Sequence, residues 1–359
     1  MKILVVGAWL WRWYEDAFAE ALRQLGHEVA GVGWGSLFKK DLNTREPTYK
    51  SVFHRIDDRL VMGPITLGFN QQLIDRARSF RPDFVFAYNG THVLPATLKI
   101  LKQTLPRTLL VQYCNDNPFS AGADKLLWRH LKDSIPIYDA HFAYRHSNIA
   151  DVTAYGGRNV HLLRSYYIPA DDYRQEPDAV HDHLRSDVLF AGHYEPDARL
   201  EFLEQVASLP VRMNLFGGSW AVARTRLRPG SPLARFFPVS PVVGAEYRMA
   251  ISGTKIALCF LSKLNGDSYT RRNFQIPATR TFMLSEYTPD LASLFEEGKQ
   301  AEFFRSQDEL VDKIRYYLQH DSEREEMARN GHKRLLADGH DVISRARQVV
   351  AVVERLSER

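Results

Sequence analysis

The sequence predicts an α/β protein built from two doubly wound domains. Three observations support this. A chain of 359 residues exceeds what one hydrophobic core usually covers, since a domain takes roughly 150 residues. Short apolar strands alternate with amphipathic helices in both halves. Between the halves, residues 168–185, IPADDYRQEPDAVHDHLR, combine two prolines with many charges and little periodicity, the pattern of a linker. The expected domains are 1–170 and 186–340, with a helix at 341–359 packing back on the first.

Residues 3–7 form an apolar run ending at Gly7, as in a parallel strand buried on both faces. Arg12 interrupts the apolar stretch and no small-residue cleavage site follows, so a signal peptide is the poorer explanation. Residues 15–25 set Phe18, Leu22 and Leu25 on one helical face, and 29–32 return as a strand, completing a βαβ unit. Further strands are expected at 84–87, 108–112, 141–144 and 160–163, with helices near 70–79, 95–103 and 122–133. In the second half, strands at 188–191 and 211–216 flank a helix at 197–207, and 255–260 and 281–284 continue the sheet. Ser306 with Glu309 and Ser322 with Glu325 have capping-box spacing, and a last helix spans about 342–356.

Net charge is +4 and the isoelectric point about 8.9, but lysines and arginines are spread without a dense basic run, which disfavours nucleic acid. Such an excess suits an anionic small molecule or loose attachment to an acidic membrane surface. No stretch approaches the ~20 apolar residues of a spanning helix. The two cysteines, Cys114 and Cys259, stand far apart, so neither a disulfide framework nor a metal site is suggested. The expected location is the cytoplasm, or the inner face of the membrane.

Most of the chemistry gathers in residues 265–304. Asp267 and Gln275 stand eight apart with Arg271 and Arg272 between them, and a helix beginning near Thr270 would aim its first amides at an anion. A nucleotide diphosphate fits this set. Two doubly wound domains facing each other place ligands in a cleft at the carboxyl ends of their strands. Arg271 and Arg272 are candidates for phosphate, by bidentate geometry, against ordinary surface charge. His193 and Arg199 either approach the diphosphate or are hydrogen-bonded and solvated. Asp267 either binds ligand or turns its loop, and Glu286 either binds nucleotide or caps the next segment. In the first domain, Gly7 would let backbone approach the phosphates, while Asp116 would accept a proton from an acceptor hydroxyl or form an Asx turn before Pro118. His92 is a base, a sugar-orienting group or a structural residue. Trp9, Trp11 and Trp13 offer faces to a sugar or a membrane interface, or pack in the core.

Over residues 187–340 the chain resembles the CgeB-like, spore-maturation-type glycosyltransferases of GT-B fold. The resemblance is carried by VLFAGHYEPDARLEFLEQV, VRMNLFGGSW, the TRRNFQIPA block and DELVDKIRYYLQHDSEREEMARNGHKRL. It implies two Rossmann-like domains and transfer of a sugar from a nucleotide-diphosphate sugar to a hydroxyl of a glycan, polysaccharide or glycoprotein. It further implies no metal, no cofactor and retention of configuration. Asp267 and Gln275 occupy positions where the family has glutamates near the sugar and on the ribose, and Thr279 and Arg280 replace a small Cys-Gly pair, so Arg280 is a further candidate for phosphate. A nucleotide-sugar epimerase of the same fold and a binding protein without turnover are the rivals. A dinucleotide-dependent oxidoreductase is weaker, because Gly7 is not part of a G-x-G-x-x-G fingerprint.

Overall fold

The computed structural model describes residues 1–38 and 51–358. It divides into two compact units, one of Met1–Ser165 with Val342–Arg359 and one of Tyr166–Asp341. The first holds a six-stranded parallel sheet: β1 (Lys2–Gly7), β2 (Glu28–Gly33), β3 (Phe84–Tyr88), β4 (Leu109–Cys114), β5 (Ala140–Ala143) and β6 (Val160–Leu162), in the order β2-β1-β3-β4-β5-β6. The second holds β7 (Ser186–Ala191), β8 (Met213–Phe216), β9 (Thr254–Cys259), β10 (Phe282–Glu286) and β11 (Glu302–Phe304), also all parallel, in the order β11-β10-β9-β7-β8.

Parallel strands need crossovers, and helices on both faces explain why these strands read as continuous apolar runs. In the first unit Leu4, Val6, Val85 and Leu110 pack on Phe69 and Leu73 of the helix Pro64–Phe80; in the second, Val188, Phe190, Ile256 and Leu284 pack with Leu203, Trp220 and Ile314. The C-terminal helix, Val342–Ser357, belongs to the first unit, where Gln348 Nε2 donates to the Leu162 carbonyl at 2.7 Å.

Several local expectations are revised. Residues 168–185 are not a free linker: Val180 and Leu184 are buried, and short 3-10 turns at Pro177–Ala179 and Asp182–Leu184 lead into β7. Two apolar side chains four apart suffice to seat a segment whose composition is otherwise polar. The helix expected from residue 15 is entered through a π-turn, Arg12–Asp16, before Ala17–Gln24. Ser306 caps as expected, accepting from the Glu309 amide at 3.1 Å, whereas Ser322 lies inside the helix Asp321–Ala337 and opens nothing.

Candidate active site

In a doubly wound sheet, ligands gather outside the carboxyl ends of the strands where strand order reverses. In the second unit that point falls between β7 and β9. Three glycines shape it. A Cβ on Gly217 (φ 150°) would lie 1.9 Å from the Gly192 carbonyl oxygen, one on Gly218 would lie 2.8 Å from His193 Nδ1, and one on Gly192 would lie 3.0 Å from Arg272 Nη1. The loops after β7 and β8 are thereby drawn together, with the Gly192 amide donating to the Phe216 carbonyl at 2.9 Å and Trp220 Nε1 to the Gly192 carbonyl at 3.0 Å.

Arg272 occupies this point. Its Nη2 donates to the Phe260 carbonyl just past β9 at 3.1 Å, and its guanidinium lies over the Phe190 ring 5.8 Å from the centroid. Its Nε is buried without a hydrogen-bond partner, and among the described residues it makes no ion pair. Beyond the Phe260 carbonyl, its polar surroundings are the Cys259 thiol, the Tyr247 hydroxyl and the more distant Glu195, which hold the guanidinium in its charged form without forming an ion pair with it. The helix that carries it starts at Arg272, not Thr270, and runs to Ala278. Asn273, fully buried, accepts from the Thr270 amide at 2.8 Å and donates to Ser285 Oγ at 3.0 Å, pinning the helix start to β10.

The neighbouring candidates are engaged within the protein. Arg271 is no surface charge: it pairs with buried Asp172 at 3.0 Å, and Gln275 donates to the same carboxylate at 2.8 Å, so the arginine pair divides into one neutralised member and one without an ion pair. Arg199, expected near phosphate, is buried and spent on structure. It donates to Asp197 Oδ1 at 2.7 Å, to the His193 carbonyl at 2.6 Å and to the Leu261 carbonyl at 3.2 Å, tying the β7 loop to the end of β9. Glu286 accepts from the Leu261 amide at 3.1 Å and pairs with Lys263, bracing the β9 and β10 ends. His193 is exposed on the rim, and Asp267 is half-buried on the loop before the helix, its amide donating to the Ser262 carbonyl at 2.9 Å. Arg280 is exposed and stands just before the amino end of β10. It follows the C-terminus of the helix Arg272–Ala278 and precedes β10 in the left-handed conformation (φ 52°), at the opposite end of that helix from Arg272.

The first unit reverses strand order between β1 and β3, and there the buried side chain is an acid. Glu15 is buried, its Oε1 accepting from the Ala8 amide at 2.7 Å and lying 2.3 Å from where a Gly7 Cβ would stand. Burial raises its carboxyl above the ordinary range, partly offset by backbone hydrogen bonds. Gly7 therefore makes room for the Glu15 carboxyl beside the end of β1. Trp9 (φ 51°) covers Gly31 and Gly33 and donates from Nε1 to the Val32 carbonyl at 3.1 Å, which makes it packing instead of an acceptor surface. Trp11 and Trp13 stack on each other, 4.9 Å between centroids, both half-buried. His92 is buried against Trp34 and Phe38, 5.1 and 5.2 Å between ring centroids, in an aromatic layer that explains its place better than catalysis does.

Asp116 stands two residues past β4. Asn89 Nδ2 donates to its Oδ2 at 3.3 Å, and Asn89 Oδ1 accepts from the Asn115 amide at 3.2 Å, so one αL asparagine (φ 59°) clamps the loop. Burial raises the Asp116 carboxyl above its ordinary value, with Arg145 and the Asn89 amide pulling the other way. Asn89, Glu15, Asp172 and Asn273 escaped the sequence because each acts through tertiary partners; only the Tyr-Asn-Gly turn at 88–90 marked Asn89 as a left-handed residue. Among the described residues no cluster of metal-binding side chains occurs and no helix is long and apolar enough to cross a membrane.

Residues 199–351 match the family described as glycosyl transferase-like. No curated relative matches the chain in sequence. Among solved structures the chain is similar to HepE of Anabaena in complex with UDP-glucose, at 12% identity and TM-score 0.68 over 100% of both chains. It is also similar to sucrose-phosphate synthase of Thermosynechococcus elongatus, at 12% identity and TM-score 0.68 over 99% of each chain. A third is a putative UDP-N-acetylglucosamine 2-epimerase of Listeria monocytogenes, at 11% identity and TM-score 0.58 over 99% of this chain and 96% of that one. The fold is that of the GT-B glycosyltransferases.

Proposed function

We propose that the chain is a glycosyltransferase that takes a sugar from a nucleotide-diphosphate sugar, with the diphosphate held at Arg272 in the second unit and the acceptor hydroxyl served by the first. The observation that supports this most is the guanidinium of Arg272, without an ion-pair partner among the described residues, at the reversal point of a parallel sheet. Departure of the nucleotide leaves negative charge on the diphosphate and an oxocarbenium-like sugar. A fixed guanidinium in a partly dehydrated site lowers that barrier. In this reading Asp116, its carboxyl raised by burial, takes the acceptor proton, and the Trp11–Trp13 stack offers an aromatic face to a sugar. A CgeB-like subtype, transfer without metal and retention of configuration rest on the sequence resemblance. UDP is the first nucleotide to try, because HepE of the same fold is described with UDP-glucose.

Titration calorimetry with UDP-, GDP-, dTDP- and CMP-sugars tests the donor site. One family of nucleotides should bind, and Arg272→Ala should weaken it by about 100-fold, the effect of leaving a desolvated anion unpaired; a panel in which nothing binds sinks the assignment. Since a putative epimerase shares the fold, the best ligand should also be incubated without acceptor. An isomerised nucleotide sugar would favour the epimerase.

A further inference from the structure

Asp172 lies in the segment leading into the second sheet, outside the family match at 199–351. Its carboxylate is buried. Oδ2 accepts from Arg271 Nη2 at 3.0 Å and from the Ile168 amide at 2.8 Å, and Oδ1 accepts from Gln275 Nε2 at 2.8 Å. The other end of the Gln275 amide accepts from the Tyr247 hydroxyl at 3.2 Å. Gln275 is thus held at both ends, and an acid in its place would set two carboxylates against each other at hydrogen-bond distance out of water. Acid at 172 and amide at 275 form one unit. Arg271 and Arg272 are adjacent, yet the carboxylate neutralises only the first.

Resting on the donor assignment above, we infer that Asp172 is a positioning residue for donor binding: it ties down Arg271 and Gln275, and so leaves Arg272 as the guanidinium presented to the diphosphate. The buried pair with Arg271 fixes the residue that precedes Arg272, and the bond to Gln275 holds the first turn of Arg272–Ala278 against the segment before β7, so the Arg272 guanidinium keeps one orientation. Asp172 acts through these two side chains and not through the reacting atoms.

The test is a double-mutant cycle, with UDP and UDP-glucose titrated into wild type, Asp172→Asn, Arg272→Lys and the double variant, alongside melting temperatures. Positioning predicts that Asp172→Asn weakens UDP about tenfold in the wild-type background and less than about twofold beside Arg272→Lys, because coupled residues do not add. Equal factors in both backgrounds, whatever the melting temperature does, overturn the inference. If Asp172→Asn does not fold, Asp172→Asn with Gln275→Glu keeps one acid and one amide in the pair. Recovery of UDP binding to within about threefold of wild type, where Gln275→Glu alone loses it, supports the coupling, and equal loss in both overturns it. A wild-type chain that binds no nucleotide removes the donor assignment and this inference together, whereas wild-type binding left unchanged by Asp172→Asn removes this inference alone.

Discussion

The two sheets share a topology and differ in charge where it reverses. Each places its first strand between its second and third, β2-β1-β3 in one unit and β8-β7-β9 in the other. Glycines close both edges, yet the space beside Gly7 holds the carboxylate of Glu15 and the space beside Gly192 holds the guanidinium of Arg272. A parallel sheet supplies the crevice, and the side chain entering it decides which ligand charge is welcome. A buried acid offers a diphosphate no countercharge; a guanidinium free of an ion pair does.

The glycines can break this comparison first. Gly217→Ala adds a methyl at φ 150° against the backbone oxygen of Gly192, so the cost should exceed about 3 kcal/mol. Gly7→Ala meets only the Glu15 side chain, which can shift, and about 1–3 kcal/mol is expected. Denaturant midpoints compare the two, and equal losses would mean that the second edge is no tighter than the first. Asp116→Asn asks whether the edges divide the labour as proposed. Turnover should fall by about 100-fold while nucleotide affinity stays within about twofold, and a parallel loss of affinity would place Asp116 in donor binding instead.

The smallest effect concerns charge remote from the reversal point. The hydrogen bond from Arg305 holds Glu297 at a pKa of about 2, against an ordinary 4.5. A depressed carboxyl contributes stability that is complete above 4.5 and is lost as pH falls towards 2. With Arg305 and Glu297 side chains 44% and 33% exposed, the contribution stays below about 1 kcal/mol. Glu297→Gln should lower the melting temperature slightly at neutral pH, narrow its acid dependence and leave nucleotide binding unchanged.

The strands were legible because parallel sheets covered on both faces demand continuous apolar runs, as at 3–7 and 84–87. β11 was missed: Glu302–Phe304 is three residues long and begins with a buried acid. At the site, the TRRNFQIPA block marked the right helix but not the division between its arginines. That division depends on Asp172, about a hundred positions earlier in a stretch whose polarity hid its burial. In sequence Arg199 reads as a loop cation, whereas the Asp197 and Glu195 carboxylates and the His193 and Leu261 carbonyls surround it.

Periodicity and composition, then, are local properties, and they suffice for two α/β halves, a helical C-terminus and a segment in which two adjacent arginines stand between an acid and an amide. Which cation is spent on structure and which remains for a ligand is a property of packing, because neutralising a charge takes a partner within about 4 Å and chain order says little about who that partner is. Folding brings Asp172 to Arg271 and Glu15 to Gly7, and those two meetings leave a cation at one reversal point and an acid at the other in otherwise matching sheets.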